Sequence, residues 1–159
     1  MSESMRVSVS REIPASSEVI FSMITLPAGH VAMDGSGSLI SAPSNHQLHA
    51  VGDTFLMDMD RASLGDIPEI TTYQVENEVH AFEANRLLEW TVGMVDRPKI
   101  GHFYGIRLTP IDVSLTLVEN YVDWSEVPEK WQTRISWPVV SASMMQESLA
   151  RLEAAILSA

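Results

Sequence analysis

The apolar positions of this chain begin with a period of two, shift to helical spacing, return to a period of two for most of the length, and end on a helical stripe. Arg6 to Glu12 alternates, with Val7, Val9 and Arg11 on one side and Ser8, Ser10 and Glu12 on the other, which predicts a first strand. Ile13-Pro14 stops it. Ser16 and Ser17 then offer N-cap oxygens, and Val19, Ile20, Met23 and Ile24 recur at helical spacing, so a helix should end near Thr25. A second short helix follows Pro27 over Ala28 to Met33, and the chain leaves it through Asp34-Gly35-Ser36-Gly37.

Strands follow. A short one is expected at Leu39 to Ala42, with a polar loop from Pro43 to His49. After Gly52-Asp53, the residues Phe55, Met57 and Met59 share one face, while Thr54, Leu56 and Asp58 share the other. Ser63 to Pro68 reads as a turn. Thr71 to Phe82 is a long strand with Tyr73, Val75, Asn77 and Val79 inward and Thr72, Gln74, Glu76 and Glu78 toward solvent. Leu87 to Val92, His102 to Thr109 and Ser114 to Asp123 complete an antiparallel run, with Pro110-Ile111-Asp112 as the last loop.

Trp137 to Ala159 reads as one long helix, with Pro138 in its first turn and no later Gly or Pro. Met145, Leu149, Leu152 and Ile156 recur at steps of four, three and four and form a single stripe, off which Gln146, Glu147, Arg151 and Glu153 fall. Burying those four side chains stabilises by about 1.5–3 kcal/mol each, which requires a surface beneath them, and the strands supply it. The order implies an α+β fold: a curved antiparallel sheet wrapped around a long C-terminal helix, with two short helices after strand one. A concave sheet and a straight helix cannot touch along their whole lengths, so the gap between them is the expected ligand site.

Composition narrows the picture further. A length of 159 residues with 45% hydrophobic and 19% charged residues suits one globular domain, expected to span residues 1–159. No cysteine is present, which excludes disulfides, thiolate metal sites and thiol nucleophiles. A net charge of −11 repels phosphate backbones and anionic lipid headgroups, so neither nucleic acid nor membrane insertion is expected. The opening MSESMRVSVS lacks the apolar centre of a secretory signal, and the expected location is the cytoplasm.

Several pieces, taken in order, resemble one superfamily. They are the Ile13-Pro14-Ala15 entry to the first helix, Asp34-Gly35-Ser36-Gly37 after the second, and Phe55, Met57 and Met59 following Gly52-Asp53. Tyr73 with Asn77 and Val79, Trp90, Val118 with Asp123-Trp124-Ser125, and Trp137-Pro138 ahead of Ser148-Leu149 and Leu152 continue the set. Together they resemble the START-like, helix-grip superfamily (SRPBCC), and within it the polyketide cyclase/dehydrase and lipid-transport group. The resemblance implies an internal cavity for a lipid- or polyketide-like molecule. One departure is visible: Pro110-Ile111-Asp112-Val113 stands where a Gly-containing hairpin is common in such proteins.

Candidate pocket residues are Phe55, Met57, Met59, Tyr73, Asn77, Trp90, His102, Tyr104, Asn120 and Met145. An inward amide such as Asn77 must find hydrogen-bond partners, either a ligand oxygen or a neighbouring backbone group that makes it a brace, and Asn120 presents the same choice. His102 and Tyr104 alternate on one face, as a proton-transfer pair or as a rim histidine beside a packing aromatic. His30 and Asp34 have i, i+4 spacing, as an oriented base or as a helix-ending hydrogen bond. No pair of histidines makes a metal motif, Gly35-Ser36-Gly37 lacks the Lys and Thr of a phosphate loop, and Ser36 has no nucleophile-elbow context, so neither cofactor nor metal is expected. The Glu126, Glu129 and Lys130 cluster beside Trp124 and Trp131 reads as a solvated loop that packs its aromatics over one end of the sheet. No Lys or Arg falls on an inward face of the long central strands, so the expected ligand is a small, mainly uncharged hydrophobic molecule. Three functions compete: ligand binding, a cyclase or dehydratase using the same cavity, and a protein-interaction domain, which a filled interior would favour.

Overall fold

The computed structural model describes residues 4–60, 72–95 and 97–158. The order is β1 (Arg6–Ile13), α1 (Ser17–Ile24), α2 (Pro27–Met33), β2 (Leu39–Ser41), β3 (Thr54–Asp60), β4 (Thr72–Glu83), β5 (Leu87–Met94), β6 (Phe103–Asp112), β7 (Leu115–Asp123), α3 (Glu129–Arg134) and α4 (Ala142–Leu157). The turn expected over Ser63 to Pro68, and Thr71 at the head of the long strand, lie outside the described residues. All seven strands pair antiparallel in one sheet of order β1-β7-β6-β5-β4-β3-β2, so the first strand returns to pair with the last.

The register sorts the side chains as the alternation requires. Phe55 stands opposite Asn77, Met57 opposite Val75 and Met59 opposite Tyr73. Val75, Asn77 and Val79 are buried, while Glu78 between them is exposed. Just before a register shift that follows Val79, Trp90 lies between Val79 and Tyr104, and Ile106 stands opposite Asn120. The β6–β7 hairpin is longer than expected, because β6 runs through Pro110 to Asp112. Pro110 sits past the last pairing of β6 with β5, at Arg107, so its missing N–H interrupts no ladder on that side.

The C-terminal helix is shorter than the 137–159 span its apolar spacing suggested. Ser141 is its N-cap, accepting from the Met144 N–H, and the chain before it is not helical. Trp137 and Pro138 are joined by a cis peptide bond, and Trp137 stacks on Trp124 at 6.0 Å between centroids. Its indole N–H donates to the Trp131 carbonyl at 3.2 Å. Pro138 therefore belongs to a strap leading into the helix and not to its first turn. The stripe itself is as expected: Met145, Leu149, Leu152 and Ile156 are all buried in the core with Ile13, Ile20, Leu108 and Val118.

Residues 124–134 also differ from the expected solvated loop. They hold the short helix α3, none of whose residues is fully buried, and Trp131 turns from it toward the interior. On the first two turns of α4, the Asp34 to Gly37 loop is seated on the helix. The Gly35 N–H donates to Ser148 Oγ at 2.8 Å, and a Cβ at Gly35 would lie 2.3 Å from the Met144 carbonyl oxygen and 2.7 Å from the Ser148 nitrogen. Those are backbone atoms that no rotamer change moves. Gly35→Ala is therefore expected to cost about 1–3 kcal/mol, read as a lowered denaturation midpoint. A midpoint equal to that of the parent chain would mean the loop does not dock this closely.

Candidate functional site

Between the concave face of the sheet and α4 lies a cavity of about 660 Å³. Strands β3 to β7 make its floor, α2 and the Asp34 loop one wall, and α3 with the Trp137 strap the other. Met57, Met59, Tyr73, Asn77, Trp90, His102, Tyr104, Asn120 and Met145 all line it. Phe55 does not. It is buried and meets the His30 ring edge-on at 5.3 Å, so α2 covers it and sets it back from the cavity wall.

The two inward amides differ. Asn120 Nδ2 donates to the Gly105 carbonyl at 3.0 Å, across to β6, so this amide braces the sheet. Asn77 is 4% exposed, and its Oδ1 has no hydrogen-bond partner. A buried amide oxygen left without a donor costs roughly 1–3 kcal/mol.

Both histidines on the cavity wall are held neutral. Burial lowers the His30 pKa to about 4, an effect the hydrogen bond to the Ile24 carbonyl partly offsets. That 2.7 Å bond places the proton on Nε2, which leaves Nδ1 as an acceptor, and it does not involve Asp34. Asp34 is engaged elsewhere, accepting from Ser36 through Oδ1 and from the Leu39 N–H through Oδ2. The oriented-base pairing of His30 with Asp34 is thus absent. Burial also lowers His102 to about 4. Its ring lies 5.6 Å from Tyr104 and 5.0 Å from Trp137, both edge-on, and its buried Nδ1 has no partner. His102 is a wall residue, deeper than the rim position expected of it.

The rest of the wall is aromatic and thioether. Trp90 stacks on Tyr104 at 6.2 Å, and the His30 ring tilts over Trp90 at 4.7 Å. Five of the nine methionines, Met33, Met57, Met59, Met94 and Met145, face the cavity, so their pliable surface serves it more than the solid core. The strand residues on the wall carry no charge, but cations arrive from the loops: Arg97 and Lys99 between β5 and β6, and Lys130 on α3. Lys99 extends its ammonium to Glu76, 3.5 Å away, while Arg97 and Lys130 are exposed. Arg97 and Lys130 therefore hold their charge at the edge, while the Asp34 carboxylate, which also lines the cavity, is partly buried. Among the described residues no group of three or more His, Cys, Asp or Glu could hold a metal ion, and no helix is long and apolar enough to cross a membrane.

His30, Trp131, Trp137 and Ser148 line the cavity without having stood out as pocket residues in the sequence. For His30 the available signal was its helical offset from Met33, which places both on the same side of α2.

No protein-family model and no curated protein matches this chain. Solved structures do. Protein CV1439 from Chromobacterium violaceum superposes with a TM-score of 0.67 at 13% identity, over 95% of this chain and 96% of that one. The AHSA1-like protein from Aeromonas hydrophila gives 0.60 at 13% identity, over 97% and 93% of the two chains. Norcoclaurine synthase from Thalictrum flavum gives 0.60 at 12% identity, over 97% and 94%. At such identities the likeness speaks for architecture and not for activity. Sheet order, the place of the helices and these superpositions agree: the fold is an α+β helix-grip fold, a curved antiparallel sheet holding a C-terminal helix.

Proposed function

We propose that this protein encloses a small hydrophobic molecule, lipid- or polyketide-like, between its sheet and α4. The observation that carries this reading is the cavity. Its volume of about 660 Å³ falls within the roughly 300–1,000 Å³ usual for small-molecule sites. Its wall is apolar apart from a few inward polar groups. An interaction domain would gain nothing from leaving this space unfilled, since packed side chains there would add stability. A cyclase or dehydratase would use the same cavity, and the free Nδ1 of neutral His102 beside Tyr104 is the observation in its favour. Binding needs fewer assumptions, because none of the described residues that line the wall is an activated nucleophile.

Native mass spectrometry of protein purified from cells tests the reading. A co-purifying apolar molecule, lost on denaturation, is the expected result. Three tryptophans line the cavity, so added neutral aromatic probes should also change the intrinsic fluorescence. A bare-chain mass together with no response to any such probe would overturn the proposal.

A further inference from the structure

Three cations line the cavity of a chain that carries 21 Asp and Glu against 10 Lys and Arg, and they include both of its lysines. Lys99 is already paired. Its stem fills the space a side chain at Gly93 would take, with Cδ 2.6 Å from a Cβ placed there, and its ammonium reaches Glu76 at 3.5 Å. Arg6, Arg11, Arg107 and Arg151 likewise each have a carboxylate within 4.0 Å. Arg97 and Lys130 are exposed, and neither has an ion-pair partner among the described residues. The two belong to one rim. Arg97 stands between β5 and β6 and Lys130 on α3, and these segments meet at Gly101, where a Cβ would lie 3.0 Å from the Glu126 carbonyl oxygen and 3.6 Å from Val127 Cα. The Lys130 ammonium sits 5.5 Å from the centroid of the Trp131 ring, itself part of the cavity wall. Glu126 and Glu129, close by in sequence, do not line the cavity. Asp34 is the one carboxylate among the described lining residues, and it belongs to the opposite wall, where Ser36 and the Leu39 N–H already occupy its oxygens.

We infer that the ligand is an amphipathic monoanion, with its apolar body inside the cavity and a carboxylate held at the mouth by Arg97 and Lys130. This inference rests on the binding reading above and specifies its ligand. A charge carried inward would be stripped of water beside uncharged strands. At the mouth the carboxylate stays hydrated and meets two cations, and ion pairs in that setting are weak, screened by salt and suited to reversible loading. One negative charge fits better than the two of a phosphate monoester, because each further charge meets the repulsion of a chain at −11.

The test is a tryptophan-fluorescence titration of the full chain with dodecanoate, dodecanol, dodecylamine and dodecyl phosphate, at neutral pH and low salt and below micelle-forming concentrations. The overall charge of the chain favours the amine, so a preference for the acid reports the rim alone. Dodecanoate should bind about tenfold more tightly than dodecanol, the combined value of two exposed ion pairs, and the margin should vanish in about 1 M salt. The double variant Arg97→Gln, Lys130→Gln should lose that tenfold margin while holding dodecanol within about twofold, and retained dodecanol binding shows that the variant folds. Equal affinities for acid and alcohol in the parent chain, or tighter binding of the amine, would overturn the inference and leave the binding reading standing. A margin for the acid that survives the double substitution would overturn the assignment to these residues, and tighter binding of dodecyl phosphate than of dodecanoate would overturn the single charge. No response to any of the four probes would overturn the binding reading and this inference with it.

Discussion

Replacing Leu152 with alanine is expected to lower the unfolding free energy by about 2–5 kcal/mol. Leu152 is fully buried on the stripe of α4 that also carries Met145, Leu149 and Ile156. Beneath it lie β1 and β7, the strand pair that closes the chain's first residues onto its last strand. Alanine would remove apolar surface from this contact and leave a hole that backbone-anchored strands cannot close. Leu152 does not line the cavity, so the loss should appear in the urea midpoint with the dependence on denaturant otherwise unchanged. The surface ion pair nearby, Arg11 to Glu153 at 2.8 Å, offers little compensation because both partners are partly exposed. A midpoint equal to that of the parent chain would mean that α4 is not packed as described.

How far the sequence foretold this arrangement depends on whether a feature leaves a period. The α4 stripe did, because four apolar residues at helical steps admit one buried face. The inward rows of β3 and β4 did, because alternation with Glu76 and Glu78 leaves a single register that keeps carboxylates in water. From that register Asn77 stood out as a polar residue among inward apolar ones. Helix α3 left no such mark. It has six residues and no fully buried position, so burial imposed no pattern on its sequence, and Trp131 is separated from Trp137 by no helical repeat. The strap before α4 was misread for a related reason: Pro138 is compatible with a first helical turn, and only the cap at Ser141 and the stacking of Trp137 on Trp124 exclude it. Phe55 followed the right alternation and still missed the cavity wall. A strand pattern specifies a face, and which part of that face α2 covers is decided by the docking of His30. The loop cations Arg97, Lys99 and Lys130 escaped a reading confined to strand faces.

Acidification should destabilise this protein well before its carboxylates are protonated. His30 and His102 have pKa values of about 4 in the folded chain, against 6.5 for an ordinary histidine, and burial is the principal cause for both. Between these values the unfolded chain binds protons that the folded chain refuses, so stability is full above pH 6.5 and declines as the pH falls toward 4. Each histidine accounts for roughly 3 kcal/mol over that window, a combined loss comparable with the whole stability of a modest domain. The lowered pKa values of Asp58 and Asp123 act in the same direction but at lower pH, since an ordinary aspartate carboxyl already titrates near 3.8. The two ranges are therefore separable. Urea midpoints measured from pH 7 to 4.5 should fall steadily for the parent chain, and by roughly half as much for His102→Phe, whose ring keeps the contacts with Tyr104 and Trp137 but takes up no proton. Because Nδ1 of His102 has no partner to lose, the substitution should cost little at neutral pH. An identical decline in the two proteins would mean that His102 is hydrated enough to titrate normally, and the polar end of the cavity would then be open to water and not closed by the Trp137 strap.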